Sequence, residues 1–275
     1  MRALILQSLI AVTSITVGGN CLAADPIQLL SLRNPAAPPP ASADADSGSP
    51  ILSPDGRFVL FASSADDLVV LSNGARMTTL FPPRLNIFLR DRTKASTTLI
   101  SVNLTGTNGG NGDSLPASLS TDGRYVLFES SASDLVADDT NGVSDVFVRD
   151  LIGGTTIPVS VSTNGDLGNG ASRSAVMTPD GRYVAFVSAA NNLVPDDTNH
   201  ITDVFLRDLH LGTTVLVSMG ANSGPAGTAH GSSEAPEVTP DGRYVAFYST
   251  ATNLVSGATN ISEIYVRDLV AGTTA

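Results

Sequence analysis

The chain has 275 residues, a mass of 28.2 kDa and a formal net charge of −11 at pH 7. This length is enough for a core that needs no disulfide bonds, and the acidic balance argues against binding to nucleic acid, which requires a basic face. A single cysteine excludes both a disulfide scaffold and a thiolate zinc cluster. Asp and Arg far outnumber Glu and Lys. Because Asp is typical of turns and Glu and Lys of helix surfaces, we expect strands and tight turns with almost no helix.

Residues 1–24 are typical of a secretory signal peptide. Arg2 provides a positive start, Ala3–Val17 is mostly apolar, and small residues permit cleavage after Ala23 or Ala24. The only cysteine, Cys21, lies in this segment; a lipid anchor there is the alternative, but Asn20 fits the recognition sequence for lipid attachment poorly. We therefore expect a periplasmic or secreted protein with no membrane span after signal cleavage.

Residues 25–48 are predicted to form one strand and a link. Ile27–Arg33 is a strand-like apolar run, and the following segment, residues 36–43, is rich in proline and alanine. Proline-rich segments of this kind behave as semi-rigid spacers.

Residues 49–275 contain four copies of one repeat of roughly 60 residues, a self-similarity typical of repeat architectures. Each copy has two markers in fixed phase. Asp-Gly-Arg begins at Asp55, Asp122, Asp180 and Asp241, and Arg-Asp begins at Arg90, Arg149, Arg207 and Arg267. Because these residues recur in every copy, we interpret them as structural: Asp begins a turn, Gly supplies a positive φ, and Arg pairs with a neighbouring Asp.

Each copy divides into strand-like runs separated by turns. In the third copy, a short apolar run ends at Pro179, Arg182–Ser188 and Asp203–Leu209 follow, and a tight turn at Gly212 leads to Thr213–Ser218. Runs that are apolar on both faces indicate sheets stacked between neighbours. The sequence therefore predicts an all-β protein, a β-propeller of four-stranded antiparallel blades. The blades cover about residues 49–103, 115–162, 173–219 and 235–275, and the last one lacks its fourth strand.

The repeat resembles a known family. Its pattern, S/T-P-D-G-R-Y-V-A-F followed by D-V-F-V-R-D-L and G-T-T, is similar to the WD40-like propeller repeat of the TolB type. There is no tryptophan, so the true WD40 signature is absent, and the repeat is longer than the family's usual unit. The resemblance implies a propeller that serves as a docking platform for other proteins.

Two arrangements of the blades remain open at this stage. In one, Ile27–Arg33 completes the last blade and closes a four-bladed ring, which would remove exposed strand edges. In the other, the four blades are part of a larger ring, since TolB-type rings usually contain more blades.

Two acidic loops are the best candidates for a metal site. Asp139, Asn141 and Asp145 in the second copy, and Asp197, Asn199 and Asp203 in the third, have the same spacing. Their side chains offer hard oxygen ligands suited to Ca²⁺. The alternative is an Asx-rich turn in which these side chains cap their own backbone.

The long connections are the expected place for function. In an antiparallel meander the tight turns share one end of the strands and the long connections share the other. Binding residues usually lie on such loops, although we interpret the Gly/Asn-rich connections Thr105–Asp113 and Thr163–Ala171 as flexible links.

We therefore expect an exported, non-catalytic propeller scaffold that binds a protein partner in the cell envelope or outside the cell. The first alternative is a propeller-type hydrolase or polysaccharide lyase, and the second is a calcium-stabilised surface repeat protein. We assign no catalytic residue, and Ca²⁺ is the one cofactor that the sequence suggests.

Overall fold

The computed structural model describes Leu30 and residues 43–275, apart from residues 72, 73, 79, 81, 196 and 222–226. The predicted signal peptide, with Cys21, lies outside the described residues. So does the predicted strand Ile27–Arg33, except for Leu30, and most of the proline-rich link. In the part of the chain that the structure describes, no helix is long and apolar enough to cross a membrane.

The described residues form sixteen strands in four sheets. In chain order the strands are β1 (Ser47–Leu52), β2 (Phe58–Ser63), β3 (Asn86–Asp91), β4 (Ser96–Leu99), β5 (Ser114–Leu119), β6 (Tyr125–Ser130), β7 (Asp145–Asp150), β8 (Thr155–Pro158), β9 (Ser172–Met177), β10 (Tyr183–Ser188), β11 (Asp203–Asp208), β12 (Thr213–Leu216), β13 (Ser233–Val238), β14 (Tyr244–Ser249), β15 (Glu263–Asp268) and β16 (Thr273–Thr274). Each sheet contains four consecutive strands, β1–β4, β5–β8, β9–β12 and β13–β16, hydrogen-bonded in chain order. All neighbouring pairs are antiparallel. The predicted fold, an all-β propeller with four-stranded antiparallel blades, is confirmed.

The fourth blade differs from the expectation at its outer edge. We expected it to lack a fourth strand, but Thr273 and Thr274 pair with Asp268 and Arg267. The fourth strands of the other blades have four residues each, so this one is half their length.

The two middle strands of each blade supply the core because both of their faces are covered. In β10, Val184 and Phe186 pack in a cluster with residues of the second blade. Ala185, between them in the sequence, packs in a cluster with residues of the fourth blade. Since successive side chains of a strand point to opposite faces, a run such as Tyr-Val-Ala-Phe-Val serves two inter-blade interfaces at once.

The fourth blade has an exposed apolar outer face. Ile264 is 80% exposed, whereas Val204, at the same position of the third blade, is 0% exposed. Tyr248 and Val266 on the same face are also exposed. Among the described residues, no strand of the first blade makes extended contact with a strand of the fourth. This face therefore has the composition of an inter-blade surface without a blade packed on it.

The opposite end of the stack is covered differently. Phe61 and Phe88 of the first blade are buried in a cluster with Leu68, Leu71 and Met77, which belong to the long connection between β2 and β3. The first blade thus covers this face with its own β2–β3 connection, whereas the other blades cover the equivalent face with the preceding blade.

Candidate functional site

The repeated charges hold each blade together. The Arg57 guanidinium donates to Asp91 through Nη2 to Oδ2 at 2.7 Å and Nε to Oδ1 at 3.3 Å. The same guanidinium lies 4.5 Å from the ring centroid of Phe58. Its hydrogen bonds hold the pKa of Asp91 well below the usual range. Asp55 caps its own turn by accepting from Ser53 Oγ and from the amide of Arg57. These residues therefore have the structural role that their repetition predicted.

The glycines of the Asp-Gly-Arg turns in the second, third and fourth blades have a second role that sequence reasoning missed. Gly181 has a φ of +77°, as a tight turn requires, but a Cβ there would also overlap the ring of Tyr125 in the preceding blade. Gly123 meets Phe58 and Gly242 meets Tyr183 in the same way. Each of these three turns therefore packs on the aromatic side chain that the preceding blade's arginine covers. The sequence signal for this contact was the aromatic residue that directly follows Asp-Gly-Arg in every copy.

The long connections form one continuous surface, opposite the tight turns. We define the long-loop face as the described residues of two kinds of connection. The first are the β2–β3-type connections (within residues 64–85, 131–144, 189–202 and 250–262), and the second are the blade-to-blade connections (within residues 100–113, 159–171 and 217–232). A groove of ≈ 390 Å³ lies beside this face, between the first two blades. Leu104, Leu135, Arg149 and Pro158 are among its lining residues.

Hydrogen bonds between neighbouring blades fix the blade-to-blade connections. The Asn111 amide N–H donates to Asp134 Oδ1 at 2.9 Å, and its side chain donates to Ser133. One blade further on, Asn169 donates to Asn191 and Asn192. The interpretation of these Gly/Asn-rich connections as flexible links was therefore wrong.

The glycines of the same connections allow the backbone of each connection to lie directly against the backbone of the next blade. A Cβ on Gly112 would overlap the backbone at Ser131 and Ala132, and one on Gly170 would overlap the backbone at Ala189. Glycine is required at these positions because two backbones meet, which is a property of the packed blades and not of the isolated loop.

The six predicted metal ligands lie in two equivalent clusters. In the second blade, Asn141 Nδ2 donates to Asp145 Oδ2 at 2.6 Å, and Ser160 Oγ donates to Asp145 Oδ1 at 2.7 Å. Asn141 Oδ1 accepts from the amide of Val143 at 3.0 Å. The third blade repeats this network with Asn199, Asp203 and Ser218. This geometry includes the Asx turn that was the alternative interpretation.

Each cluster contains a second carboxylate. Asp139 and Asp197 are buried beside Asp145 and Asp203 respectively. The pKa of Asp145 is raised to about 6, mainly by burial and to a smaller extent by the charge of Asp139. The pKa of Asp203 is likewise raised to about 6 by burial, with a contribution from Asp197. In the described residues no three His, Cys, Asp or Glu side chains are grouped as a metal site, so each cluster consists of two carboxylates with an amide and a hydroxyl.

The comparisons with known proteins concern the fold. No family model and no curated protein matches the chain. Among solved structures, TolB from Acinetobacter baumannii is 20% identical, with a TM-score of 0.42 over 85% of this chain and 43% of that one. A putative TolB from Agrobacterium tumefaciens is 15% identical, with a TM-score of 0.43 over 84% of this chain and 80% of that one. A structure from a study of two prolyl endopeptidases is 12% identical, with a TM-score of 0.50 over 84% of this chain and 29% of that one.

The chain has a β-propeller fold. At these identities the likeness concerns the path of the backbone alone, since one propeller architecture hosts many unrelated functions. The chain spans 43% of the length of the Acinetobacter TolB and 29% of the endopeptidase chain. The function of this propeller therefore depends on its own surfaces.

Proposed function

We propose that the protein is an exported, non-catalytic scaffold that binds a protein partner, in the cell envelope or outside the cell, through its long-loop face. The observation that carries this proposal is the hydrogen-bonded linkage between the loops of adjacent blades. The Asn111, Asn169 and Asn253 side chains each join a blade-to-blade connection to a loop of the next blade. A surface that is ordered before binding loses less conformational entropy when a partner docks.

The distribution of charged groups supports the same proposal. In all four blades the Asp-Gly-Arg arginine is paired with the aspartate of the Arg-Asp marker. These charges stabilise the scaffold, which leaves the unrepeated loop residues as the source of specificity. Two apolar residues of the long-loop face, Leu104 and Ile261, are more than 60% exposed.

The proposal is tested by site-specific photo-crosslinking in the cells that produce the protein. A photoreactive amino acid is placed at Leu104 or Ile261 on the long-loop face. Ile152 and Leu211, which are at least as exposed but lie in tight turns at the opposite end of the strands, provide matched controls. We expect a crosslinked product of one defined mass from the first two positions and none from the controls.

Two results would overturn the proposal. Equal crosslinking from both ends of the strands would show that the contacts are unspecific. An activity found in a substrate screen, and lost on substitution of one unrepeated polar residue, would support a propeller-type hydrolase or polysaccharide lyase instead. Export is checked separately by cell fractionation, in which a cytoplasmic location of the full chain would contradict it.

A further inference from the structure

We propose that the second and third blades each bind one calcium ion at a buried pair of aspartates, Asp139 with Asp145 and Asp197 with Asp203. This inference is independent of the proposed scaffold function. It concerns two sites inside the blades and not the partner that the long-loop face would bind.

The first argument is burial without a compensating positive charge. Asp145 and Asp203 are 0% exposed, and Asp139 and Asp197 are also buried. The side chains that donate hydrogen bonds to Asp145 and Asp203 are Asn and Ser in both blades, which are neutral. Among the described residues, no arginine or lysine forms an ion pair with these four aspartates. Burying two carboxylates side by side is costly unless a cation or a proton neutralises them.

The second argument is a carboxylate oxygen that lacks a partner. Asp197 is 5% exposed, and its Oδ1 atom is buried without a hydrogen bond. Asn199 contacts both members of the pair, since its side chain donates to Asp203 Oδ2 at 2.6 Å and its backbone amide donates to Asp197. The imidazole of His200 is the other titratable group near Asp197, and its Nδ1 lies 3.4 Å from the side-chain amide of Asn191. An unpaired carboxylate oxygen beside a second carboxylate is the donor arrangement that a hard cation requires.

The third argument comes from the other two blades, which serve as internal comparisons. In the first blade Asn86 occupies the position of Asp145, since Ser101 Oγ donates to Asn86 and accepts from the amide of Ile87. The same serine network holds Asp145 and Val146 in the second blade. The network therefore forms without a negative charge at this position.

Only the second and third blades contain both acids of the pair. In the sequence of the first blade, Ser72 aligns with Asp139, so both acids of the pair are replaced. In the fourth blade Glu263 occupies the position of Asp203, but Ala258 aligns with Asp197, and Glu263 accepts a hydrogen bond from the Tyr265 hydroxyl. Since the fold of a blade needs neither acid, their joint presence in the second and third blades indicates a shared ligand.

Calcium fits the donors better than other common divalent metals. The oxygen atoms around each pair are those of the carboxylates, the hydroxyl of Ser160 or Ser218, and the backbone carbonyl of Gly168 or Ala229. The side-chain amide of Asn141 or Asn199 presents Nδ2 to this carbonyl and to Asp145 or Asp203, so its oxygen becomes a ligand only if the amide turns when the ion binds. Zinc in proteins is bound mainly by nitrogen and sulfur, and magnesium demands a stricter octahedral geometry than this loop offers.

The test uses the full chain, freed of metal with EDTA and dialysed. Titration with CaCl₂ in a calorimeter is expected to give about two ions per chain, and the thermal midpoint of unfolding is expected to rise with CaCl₂ and to return with EGTA. Asp145→Asn and Asp203→Asn should each remove one site, and the double variant should remove both. The amide variants should fold because Asn86 already occupies this position in the first blade. Asp166→Asn, an exposed acid on the long-loop face, is the matched control and should leave both sites intact.

Three outcomes would overturn the proposal. These are no heat of binding and no shift of the midpoint at millimolar CaCl₂, binding that is unchanged in the double variant, and an equal response to MgCl₂ that none of the substitutions alters. If an amide variant fails to fold, Asp139→Asn and Asp197→Asn probe the same two sites and are judged by the same stoichiometry. The calcium proposal is judged by metal stoichiometry and the scaffold proposal by crosslinking. Failure of one can therefore be distinguished from failure of the other.

Discussion

Arg124 and Asp150 join the two repeated markers of the second blade through two parallel hydrogen bonds, from Nε to Oδ1 at 3.0 Å and from Nη2 to Oδ2 at 2.7 Å. The pair connects the turn before β6 to the end of β7, and the guanidinium lies 4.6 Å from the ring centroid of Tyr125. The planar fork of arginine makes this bidentate contact possible, which lysine cannot reproduce. The presence of arginine and not lysine in the Asp-Gly-Arg turn of every copy follows from this geometry.

Removal of the Asp150 charge should destabilise the protein. Asp150→Asn loses the charge-assisted pair with Arg124, although an amide oxygen can still accept from Ile152 and Gly153. We expect the free energy of unfolding to fall by about 2 kcal/mol, measured by urea denaturation. Asp268→Asn in the fourth blade is the internal control. That pair is more exposed, so the loss should be smaller, and an equal loss in both variants would contradict a dependence on burial.

Alanine should be tolerated less at Gly181 than at Gly56. Both glycines have a positive φ, so both variants incur the strain of a left-handed residue, about 1 kcal/mol. Only at Gly181 does the added methyl group overlap the ring of Tyr125; at Gly56 the nearest atom, Arg92 Nη1, is 3.6 Å away. Gly181→Ala should therefore lose a further 1–3 kcal/mol, roughly the cost of overpacking. Equal urea midpoints for the two variants would show that the inter-blade contact does not constrain this turn.

A charge on the outer face of the fourth blade should be tolerated, whereas the same charge inside the stack should not. Ile264→Asp places a carboxylate on an exposed surface, and we expect a nearly unchanged thermal midpoint together with weaker binding of a hydrophobic dye such as ANS. Val204→Asp, at the equivalent buried position, should lower the free energy of unfolding by several kcal/mol, roughly the cost of burying an unpaired charge, or prevent folding. A large loss of stability in Ile264→Asp would contradict the exposure of this face.

Stability should depend on pH in two opposite ways. The pKa values of Asp91, Asp150 and Asp268 are held well below the usual range by their arginines, so their contribution is present above about pH 4 and is lost as the pH falls below it. The pKa values of Asp145 and Asp203 are raised to about 6, mainly by burial. These two groups bind more protons in the folded state than in the unfolded state between about pH 4 and pH 6, so their contribution is present below about pH 4 and is lost as the pH rises through 6.

The measurement is the urea midpoint between pH 3 and pH 8 in metal-free buffer. We expect a maximum in the acidic range, with a decline towards neutral pH that becomes shallower in the variant carrying both Asp145→Asn and Asp203→Asn. Asp139 is the titratable group beside Asp145, and Asp197 and His200 are those near Asp203, so the same variant also tests whether the decline comes from Asp145 and Asp203. A decline of unchanged slope in the double variant would contradict the raised pKa values.

The blade architecture could be predicted from the sequence because its determinants are local. Asp-Gly-Arg specifies a tight turn through the φ preference of glycine and the capping of Asp55 and its equivalents. Apolar residues on both faces of runs such as Tyr183–Ser188 indicate a sheet covered on both sides. Four copies in fixed phase then predict four similar blades. The grouping of Asp139, Asn141 and Asp145 was also predictable, since these residues lie within one loop.

Other features depend on how whole blades meet, and the sequence could not reveal them. The contact of Gly181 with Tyr125 and the approach of Gly170 to Ala189 each join residues of two structural units. The hydrogen bonds of Asn111 and Asn169 also join two structural units, since each links a Gly/Asn-rich blade-to-blade connection to a loop of the next blade.

The sequence by itself determined the four blades, their turns and the residues that cap them, because hydrogen bonding within a turn and alternation along a strand involve neighbours in the chain. Only the tertiary structure decided which apolar face stays uncovered, at Ile264, and that Asp197 and Asp203 are buried together without a positive partner. Exposure and the cost of burying a charge are properties of the surrounding atoms, which the packing of one blade on the next brings together.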